Sequence, residues 1–515
     1  MQTDVIVAGS GPTGLSLALQ LMRYGIDFVS LDKREGTSLH SKAIGIQART
    51  LEIYDQMGIA DEVVGKGWRA DRVRLLGGGE VRGEIDLTDI GTGMSPFPFL
   101  LILEQGIHED ILYRKLIAVG SDVLWNTELV SFEQSAEGVT AQIRRPDGTS
   151  DSISAKYLVG CDGAHSLVRH SLGLGFGGST FERLFYVADV ELDWAFKHDA
   201  LHVNLGENTI TAFFPMKGEN RWRLVGTFPE GHEKDENDIL FDEIEAQVAL
   251  DTSLTFDVTA VHWHSVYKVH SRAVERFSSG RCFLAGDAAH IHTPAGAQGM
   301  NTGIQDGYNL AWKLAAVIKH GAGANILDTY NEERLPNARR LLATTDRFFD
   351  FAASEDWLTS FLRKNIFPFI ADLALSFDAV KRIVFPIVSQ IGINYRDSSM
   401  SGESVGFEVH AGDRMPWFTV GGESIYDRLS AAKFQLLLFN ADDRPSDDLL
   451  TRAGSAASVI DTHSFALNEE AASIFGCDET FAVLLRPDNY IALITRELDP
   501  SAVIDHLRKI GLNEL

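Results

Sequence analysis

Two glycine-rich segments carry the residues best suited to chemistry, and they lie far apart in the chain. The first, Val5-Ile6-Val7-Ala8-Gly9-Ser10-Gly11-Pro12-Thr13-Gly14, stands near the N-terminus. In a strand–turn–helix of this kind Gly9 allows the tight turn, Gly11 lets the backbone approach a pyrophosphate, and Gly14 lets the helix pack on the strand. The second, Arg281-Cys282-Phe283-Leu284-Ala285-Gly286-Asp287-Ala288-Ala289-His290, is followed by Pro294-Ala295-Gly296-Ala297-Gln298-Gly299-Met300-Asn301. Asp287, at the end of an apolar run, is suited to accept hydrogen bonds from sugar-like hydroxyls. The loop amides leading to Gly299, Met300 and Asn301 are suited to stabilise negative charge where a helix begins. One long ligand touched at both ends explains the pair, and FAD is such a ligand.

The elements that must hold these residues are legible around them. Val5 to Ala8 is a short apolar run of the kind that fills a buried parallel strand. Leu15, Ala18, Leu21 and Met22 recur at helical spacing, so a helix begins inside the motif at Pro12 and Thr13 with its first amides aimed at phosphate. A second strand, Phe28 to Leu31, ends at Asp32, followed by Lys33. An acid at that distance past Gly14 suits the hydroxyls of an adenosine ribose. Phe283 to Ala285 reads as another buried strand, and Ile304, Leu310, Ala311 and Leu314 as the helix after the glycine loop.

With these motifs in place, the chain resembles the FAD-dependent aromatic hydroxylases related to para-hydroxybenzoate hydroxylase, also called class A flavoprotein monooxygenases. The resemblance spans essentially the whole chain. Tyr157-Leu158-Val159-Gly160-Cys161-Asp162-Gly163-Ala164-His165-Ser166-Leu167-Val168-Arg169 is similar to the family's second fingerprint, which serves both FAD and NAD(P)H. Gly286-Asp287 is similar to the third, whose aspartate holds the ribityl hydroxyls. Leu103 to Glu109 resembles the family's Gln-x-x-x-Glu helix start, which implies a flavin contact for Gln105. Leu129 falls where the family's backbone meets adenine. Ser41-Lys42-Ala43 and Arg49-Thr50-Leu51-Glu52 resemble an Arg-Ala…Arg-Thr-x-Glu segment, with Lys42 where arginine is usual. Lysine keeps the charge but loses the bidentate fork. The proline matching Pro294 is expected to present its backbone carbonyl to the substrate.

The resemblance implies an α/β fold: a Rossmann-like FAD-binding domain with a helical extension (1–175 and 272–394), an inserted, mainly β substrate domain (176–271), and a thioredoxin-like C-terminal domain (395–515). Within the insert, Thr209 to Pro215 and Arg221 to Phe228 flank Lys217-Gly218-Glu219-Asn220 and read as a hairpin. Phe213 and Trp222 are candidate walls for an aromatic ligand, with packing in the core as the alternative. Residues Leu335 to Ile391 read as helical, their bulky positions free to pack on the FAD domain or on a second copy in a homodimer. The C-terminal segment shows strands at Phe434–Phe439, Phe481–Leu485 and Tyr490–Ile494 and a helix from Ser501 to Lys509. Its lone Cys477 offers no CxxC, which excludes dithiol chemistry there.

Composition narrows the classes. The 515 residues exceed one core, so two or three domains are expected. Acidic residues outnumber basic ones by 72 to 46, a formal charge of −26 that disfavours nucleic acid and anionic lipid. Three scattered cysteines (Cys161, Cys282, Cys477) offer no disulfide framework and suit a reducing, cytoplasmic compartment. The apolar stretch from Trp357 to Leu375 is broken by Arg363, Lys364, Pro368 and Asp372, so no membrane span is expected. His290 and His292 lack the carboxylate or cysteine company of a metal site. The reading is a monooxygenase in which NADPH or NADH, binding transiently, reduces FAD. O2 then gives a flavin C4a-hydroperoxide that hydroxylates a phenolic or multi-ring aromatic. No catalytic base declares itself. Baeyer–Villiger or other flavin oxidation is the enzyme alternative, and a flavin-carrying binding protein for aromatics the non-enzyme one. Substrate-dependent NAD(P)H oxidation with an oxygenated product separates the latter from the rest. Halogenation is disfavoured because no Trp-x-Trp-x-Ile-Pro signature surrounds Trp222.

Overall fold

The strand Gln2–Ala8 lies at the centre of an eight-stranded sheet, and its Val5 to Ala8 are 0–1% exposed. A strand covered on both faces needs apolar residues at successive positions, which is why this run does not alternate. The computed structural model describes residues 1–38, 43–206, 209–232, 234–293, 298–353, 378–429, 432–441, 459–496 and 500–512. Lys42, Pro294 and the stretch from Trp357 to Leu375 lie outside them.

The sheet runs in the order Ser278–Ser279, Cys282–Leu284, Ser150–Gly160, Gln2–Ala8, Phe28–Leu31, Val123–Leu124. The last five are parallel to one another. Val139–Arg144 and Glu128–Gln134 leave it as antiparallel strands. The helix Pro12–Arg23 follows the first strand and opens with proline at a position where the missing N–H costs nothing. Against it packs the long helix Gly299–His320, where a Cβ on Gly307 would come within 3.1 Å of Leu17.

A second eight-stranded sheet has the order His290–Ile291, Phe256–Val274, Phe176–Trp194, Arg221–Thr227, Ile210–Pro215, Leu201–Leu205, Arg72–Gly77, Glu80–Asp86. The hairpin read from the sequence is present, with Thr211 opposite Gly226 and Phe213 opposite Leu224. The sheet is wider than residues 176–271. Arg72–Gly77 joins it parallel to Leu201–Leu205, and His290–Ile291 closes the other edge. The helix Phe241–Thr252 covers one face, burying Tyr186, Leu224 and Ile244. On the opposite face Phe214, Met216 and Leu201 meet Ile44 and Ile102, at a small three-stranded sheet of Gly45–Ile46, Leu100–Ile102 and Trp68–Ala70.

Beyond the helix Asp378–Val388, a four-stranded sheet runs Ile460–Ala466, Phe434–Asn440, Phe481–Leu485, Ile491–Thr495. The first two strands are parallel and the remaining pairs antiparallel, and the helix Pro500–Lys509 follows. Its apolar residues join the main core, where Phe434 meets Trp312 edge-on at 5.8 Å. Among the described residues no helix is long and apolar enough to cross a membrane.

Candidate functional site

The two glycine motifs meet. Gly9 turns the chain out of the first strand with φ +98°, a conformation that favours glycine, and a Cβ there would lie 2.4 Å from the carbonyl oxygen of Cys161. A Cβ on Gly14 would stand 1.9 Å from the Gly9 carbonyl oxygen. Gly286, at φ +60°, and Gly303 both press on Thr13, whose Oγ1 would be 2.6 and 2.4 Å from their added Cβ atoms. Gly11 differs from all of these: a Cβ on it meets no atom of the described residues within 4 Å. It caps the helix Pro12–Arg23, whose start has no side-chain cap, so its first amides face open space.

At one end of this space stands Asp32. It accepts from the amide of Ser10 at 2.7 Å and from the amide of Arg34 at 2.8 Å. The Arg34 guanidinium bonds both Asp32 oxygens and reaches Glu109 Oε2 at 3.3 Å, while Gln105 Nε2 donates to Glu109 Oε1 at 2.8 Å. Gln105 Oε1 also accepts from the amide of Ala43. Thr127 N donates to Asp32 O, and two residues on, Leu129 is buried in the adjoining strand. Lys33 is exposed. Arg34 is the residue the motif does not flag: its partners Asp32 and Glu109 are 77 residues apart in the chain.

At the other end, Asp287 is exposed on the short turn Gly286–Ala288. The turn is held from behind. The Gly286 amide donates to Asp306 Oδ2 at 3.0 Å, as does His290 Nε2 at 2.8 Å, and Arg334 Nε donates to Asp306 Oδ1 at 2.7 Å. Burial alone would raise the Asp306 carboxyl, but Arg334 and His290 outweigh it and hold it below the usual range. Arg169 donates to Ala288 O at 3.0 Å and to Ala164 O at 2.7 Å, tying the Asp162 segment to the same turn. Asp162 accepts from Val168 N through Oδ2. Its buried Oδ1 has no partner among the described residues, and burial raises its pKa.

The helix Gly299–His320 begins without a side-chain cap, its first intrahelical bond running from Thr302 N to Gln298 O. The amides of Gly299 and Met300 precede that bond. The Asn301 side chain is committed elsewhere: Oδ1 accepts from Gln47 N and Thr50 Oγ1, and Nδ2 donates to Gly45 O. Met300 Sδ lies 3.3 Å from His108 Nδ1, and His108 Nε2 bonds the Tyr54 hydroxyl. His290 is a hydrogen-bonded core histidine, and His292 Nδ1 donates to Thr293 O at 2.7 Å. Among the described residues no group of three or more His, Cys, Asp or Glu is arranged to hold a metal.

Phe213 and Trp222 are not walls of this site. They are 0% and 1% exposed, on the helix-covered face, with ring centroids 4.6 and 4.9 Å from Trp194. Side chains alternate along a strand, so the opposite face carries their neighbours instead. One row across four strands reads Trp263, Asp189, Arg223, Phe214. The next reads Ser265, Val187, Val225, Ala212. Arg223 is fully buried and bonds both Asp189 oxygens at 2.6 and 2.7 Å. Burial pushes the nearby Tyr267 hydroxyl up to about 12, against the pull of Arg223.

These features fit FAD. Gly11 leaves room for a pyrophosphate, two uncapped helix starts offer amides to negative charge, and the unpartnered Asp162 oxygen awaits a donor. A family model described as FAD binding domain matches residues 2–345. A flavin-dependent monooxygenase of Mycobacteroides abscessus is 33% identical over 98% of this chain and 99% of its own. The 6-methylpretetramide 4-monooxygenase of Streptomyces rimosus is 32% identical over 95% of this chain and 90% of its own. Aklavinone-11 hydroxylase, solved in a ternary complex with FAD and aklavinone, superposes with a TM-score of 0.81 at 25% identity over 99% of both chains.

Proposed function

The chain belongs to the FAD-binding-domain family of flavin-dependent aromatic monooxygenases, and on that premise we propose that it hydroxylates an electron-rich, multi-ring phenolic compound at the expense of NAD(P)H and O2. The observation that carries the reading is the meeting of the glycine turn 9–14 with Gly286 and Gly303, segments far apart in the chain. FAD, when bound, supplies the chemistry: it accepts a hydride and activates oxygen. The chain's own residues bind, orient and shield. In this reading the amides after Gly11 hold the pyrophosphate, Asp32 the adenosine ribose and Asp287 the ribityl chain. The start of the helix Gly299–His320 stabilises charge on the reduced ring. Asp162 is assigned to the reductant as well as to FAD.

The sheet face opposite the helix Phe241–Thr252 is the proposed substrate floor. Trp263 and Phe214 stand at the ends of a row spanning three strand gaps, about 14 Å, which suits several fused rings better than one. The Asp189–Arg223 pair stands at the middle of that row and the apolar Val187 and Val225 lie beside it, and exclusion of water protects a reactive oxygen species. One relative is named for acting on 6-methylpretetramide, and a solved neighbour holds aklavinone, which supports a polycyclic substrate. The strand order of the C-terminal sheet supports the thioredoxin-like assignment. With only the buried Cys477 its role is structural, and three unpaired cysteines suit the cytoplasm. The test is stopped-flow flavin reduction and product analysis with benzoates, alkylphenols and fused-ring phenols. Coupled hydroxylation of the larger phenols is expected. Efficient turnover of a small benzoate alone would overturn the substrate assignment.

A further inference from the structure

We propose that the turn Arg486–Tyr490 of the C-terminal unit is a positioning element of the cofactor site, bracing the helices Ala48–Gln56 and Gly299–His320 against each other. The inference rests on the FAD reading above. It starts from charges that have no reason to be buried unless they fix something. Arg486, Asp488, Glu333 and Lys313 are all 0–3% exposed. Arg486 donates to both Glu333 oxygens, at 2.6 and 3.0 Å, and to Asp488 Oδ1 at 2.9 Å. From the long helix, Asn309 Nδ2 and Lys313 Nζ donate to Glu333 Oε2 at 2.7 and 2.8 Å, and Trp312 Nε1 to Asp488 Oδ2 at 3.0 Å. From the helix Ala48–Gln56, Arg49 donates to the Asp488 carbonyl at 2.9 Å.

Stacking locks the same residues. The Arg49 guanidinium lies between the rings of Tyr308 and Tyr490, 5.6 and 5.3 Å from their centroids. Arg486 lies 5.5 Å from the Tyr490 ring and 5.2 Å from that of Tyr395, and those two rings meet at 4.3 Å. Tyrosine and arginine thus pack as one cluster from the long helix, through the C-terminal turn, to Tyr395. Buried ion pairs add little net stability over well-packed apolar residues, because desolvation offsets their attraction. What forked, fully bonded pairs do supply is a single geometry. That geometry reaches the site, because the front ends of the same two helices are joined by Asn301 to Gln47, Thr50 and Gly45. The brace grips the long helix about 12–17 Å behind that point. Front tie and rear brace together set the spacing in which Gly299 and Met300 present their amides.

The experiment uses the full-length holoenzyme and three variants: Arg486→Met, Arg486→Lys and Tyr490→Leu. Four quantities are measured: FAD affinity by flavin fluorescence, visible circular dichroism of the bound flavin, the share of NAD(P)H electrons lost as H2O2, and the melting midpoint. Arg486→Met is expected to weaken FAD by about two- to thirty-fold, the range for coupling through packed networks, with altered flavin dichroism and more peroxide. Arg486→Lys keeps the charge without the fork, so it is expected to recover melting better than dichroism. Tyr490→Leu removes one ring and leaves every ion pair intact, and supplies the same readouts if Arg486→Met does not fold. Variants that melt lower but keep wild-type FAD affinity, dichroism and peroxide release overturn the proposal. Wild-type protein that binds no FAD overturns the underlying reading instead.

Discussion

Substitution of Gly11 separates the ligand's space from the protein's own packing more cleanly than any other change in the glycine turn. An alanine methyl there meets no atom of the described residues within 4 Å, and the native φ of −75° and ψ of −170° are open to alanine. The apo fold should scarcely notice. Alanine is a poorer helix cap than glycine, while its stiffer unfolded chain offsets part of that, leaving a net change within about 1 kcal/mol. The same methyl occupies the volume assigned to the pyrophosphate. Displacing one or two charge-assisted contacts worth about 1.5–3 kcal/mol should weaken FAD by roughly ten- to a hundred-fold. Gly14→Ala is the contrast, since its methyl would sit 1.9 Å from the Gly9 carbonyl oxygen and damage the fold itself. Apo-protein is titrated with FAD while flavin fluorescence is followed, and thermal melts are run without cofactor. A Gly11→Ala protein with wild-type FAD affinity would show that the open space is not the pyrophosphate's. An apo-protein as unstable as Gly14→Ala would show that the space is not open.

Asp287→Ala is expected to weaken FAD by about 1–3 kcal/mol, more than Asp162→Ala, whose loss should show in the rate of reduction as well. Titration of the two apo-proteins checks the order, and equal affinities refute it. Phe213→Ala should cost about 3–5 kcal/mol of stability as a cavity in the aromatic core. Trp263→Ala should leave melting nearly unchanged and alter substrate KM, and melting plus steady-state kinetics distinguishes them. Burial pushes His202 down from 6.5 to about 4 and His108 to about 3. Below pH 6.5 the unfolded chain therefore binds more protons than the native one. This stability is complete above that pH and drains away as pH falls toward 4, by on the order of 3 kcal/mol for His202. His202→Phe should flatten the acid side of the melting curve between pH 4.5 and 7 (about the range of one imidazole titration), and parallel curves would count against it.

The nucleotide turn was legible because steric necessity leaves only glycine at Gly9 and Gly14, so the residue type itself reports the fold. The hairpin across Ile210–Pro215 and Arg221–Thr227, and three of the four C-terminal strands, were legible from apolar runs. The fourth, Ile460–Ala466, is a half-buried edge strand with Asp461, Thr462 and His463 in it, and carries no such run. The pairing of Arg72–Gly77 with Leu201–Leu205 joins residues over 120 positions apart and has no local signature. Of the two readings open for Phe213 and Trp222, walls of a ligand site or core, the structure shows the core, and the opposite face carries Phe214 and Arg223. A period of two makes the faces equivalent until something outside the strand covers one of them. A further signal was present but unread. Asn301, Gln305, Asn309 and Lys313 fall every fourth residue along one stripe of a buried helix, and such a polar stripe must find partners inside.

The closing of Gly286 and Gly303 on Thr13 also sets a timetable for synthesis. The strand Gln2–Ala8 and the helix Pro12–Arg23 leave the ribosome well before the surfaces that close on Thr13, which emerge 273 and 290 residues after it. At about 5–20 residues per second, the N-terminal turn waits roughly 15–60 seconds for its counterpart. During that interval the strand Gln2–Ala8 lacks its neighbour Ser150–Gly160 for much of the time, and an unpaired apolar strand is a site for chaperone capture or misassociation. Ribosome-stalled chains ending before Gly286 are expected to retain no flavin on gel filtration, and chains extending past the helix Gly299–His320 to retain it. Cofactor availability at that moment, rather than at the start of translation, then governs how much of the newly made protein is rescued into its native state.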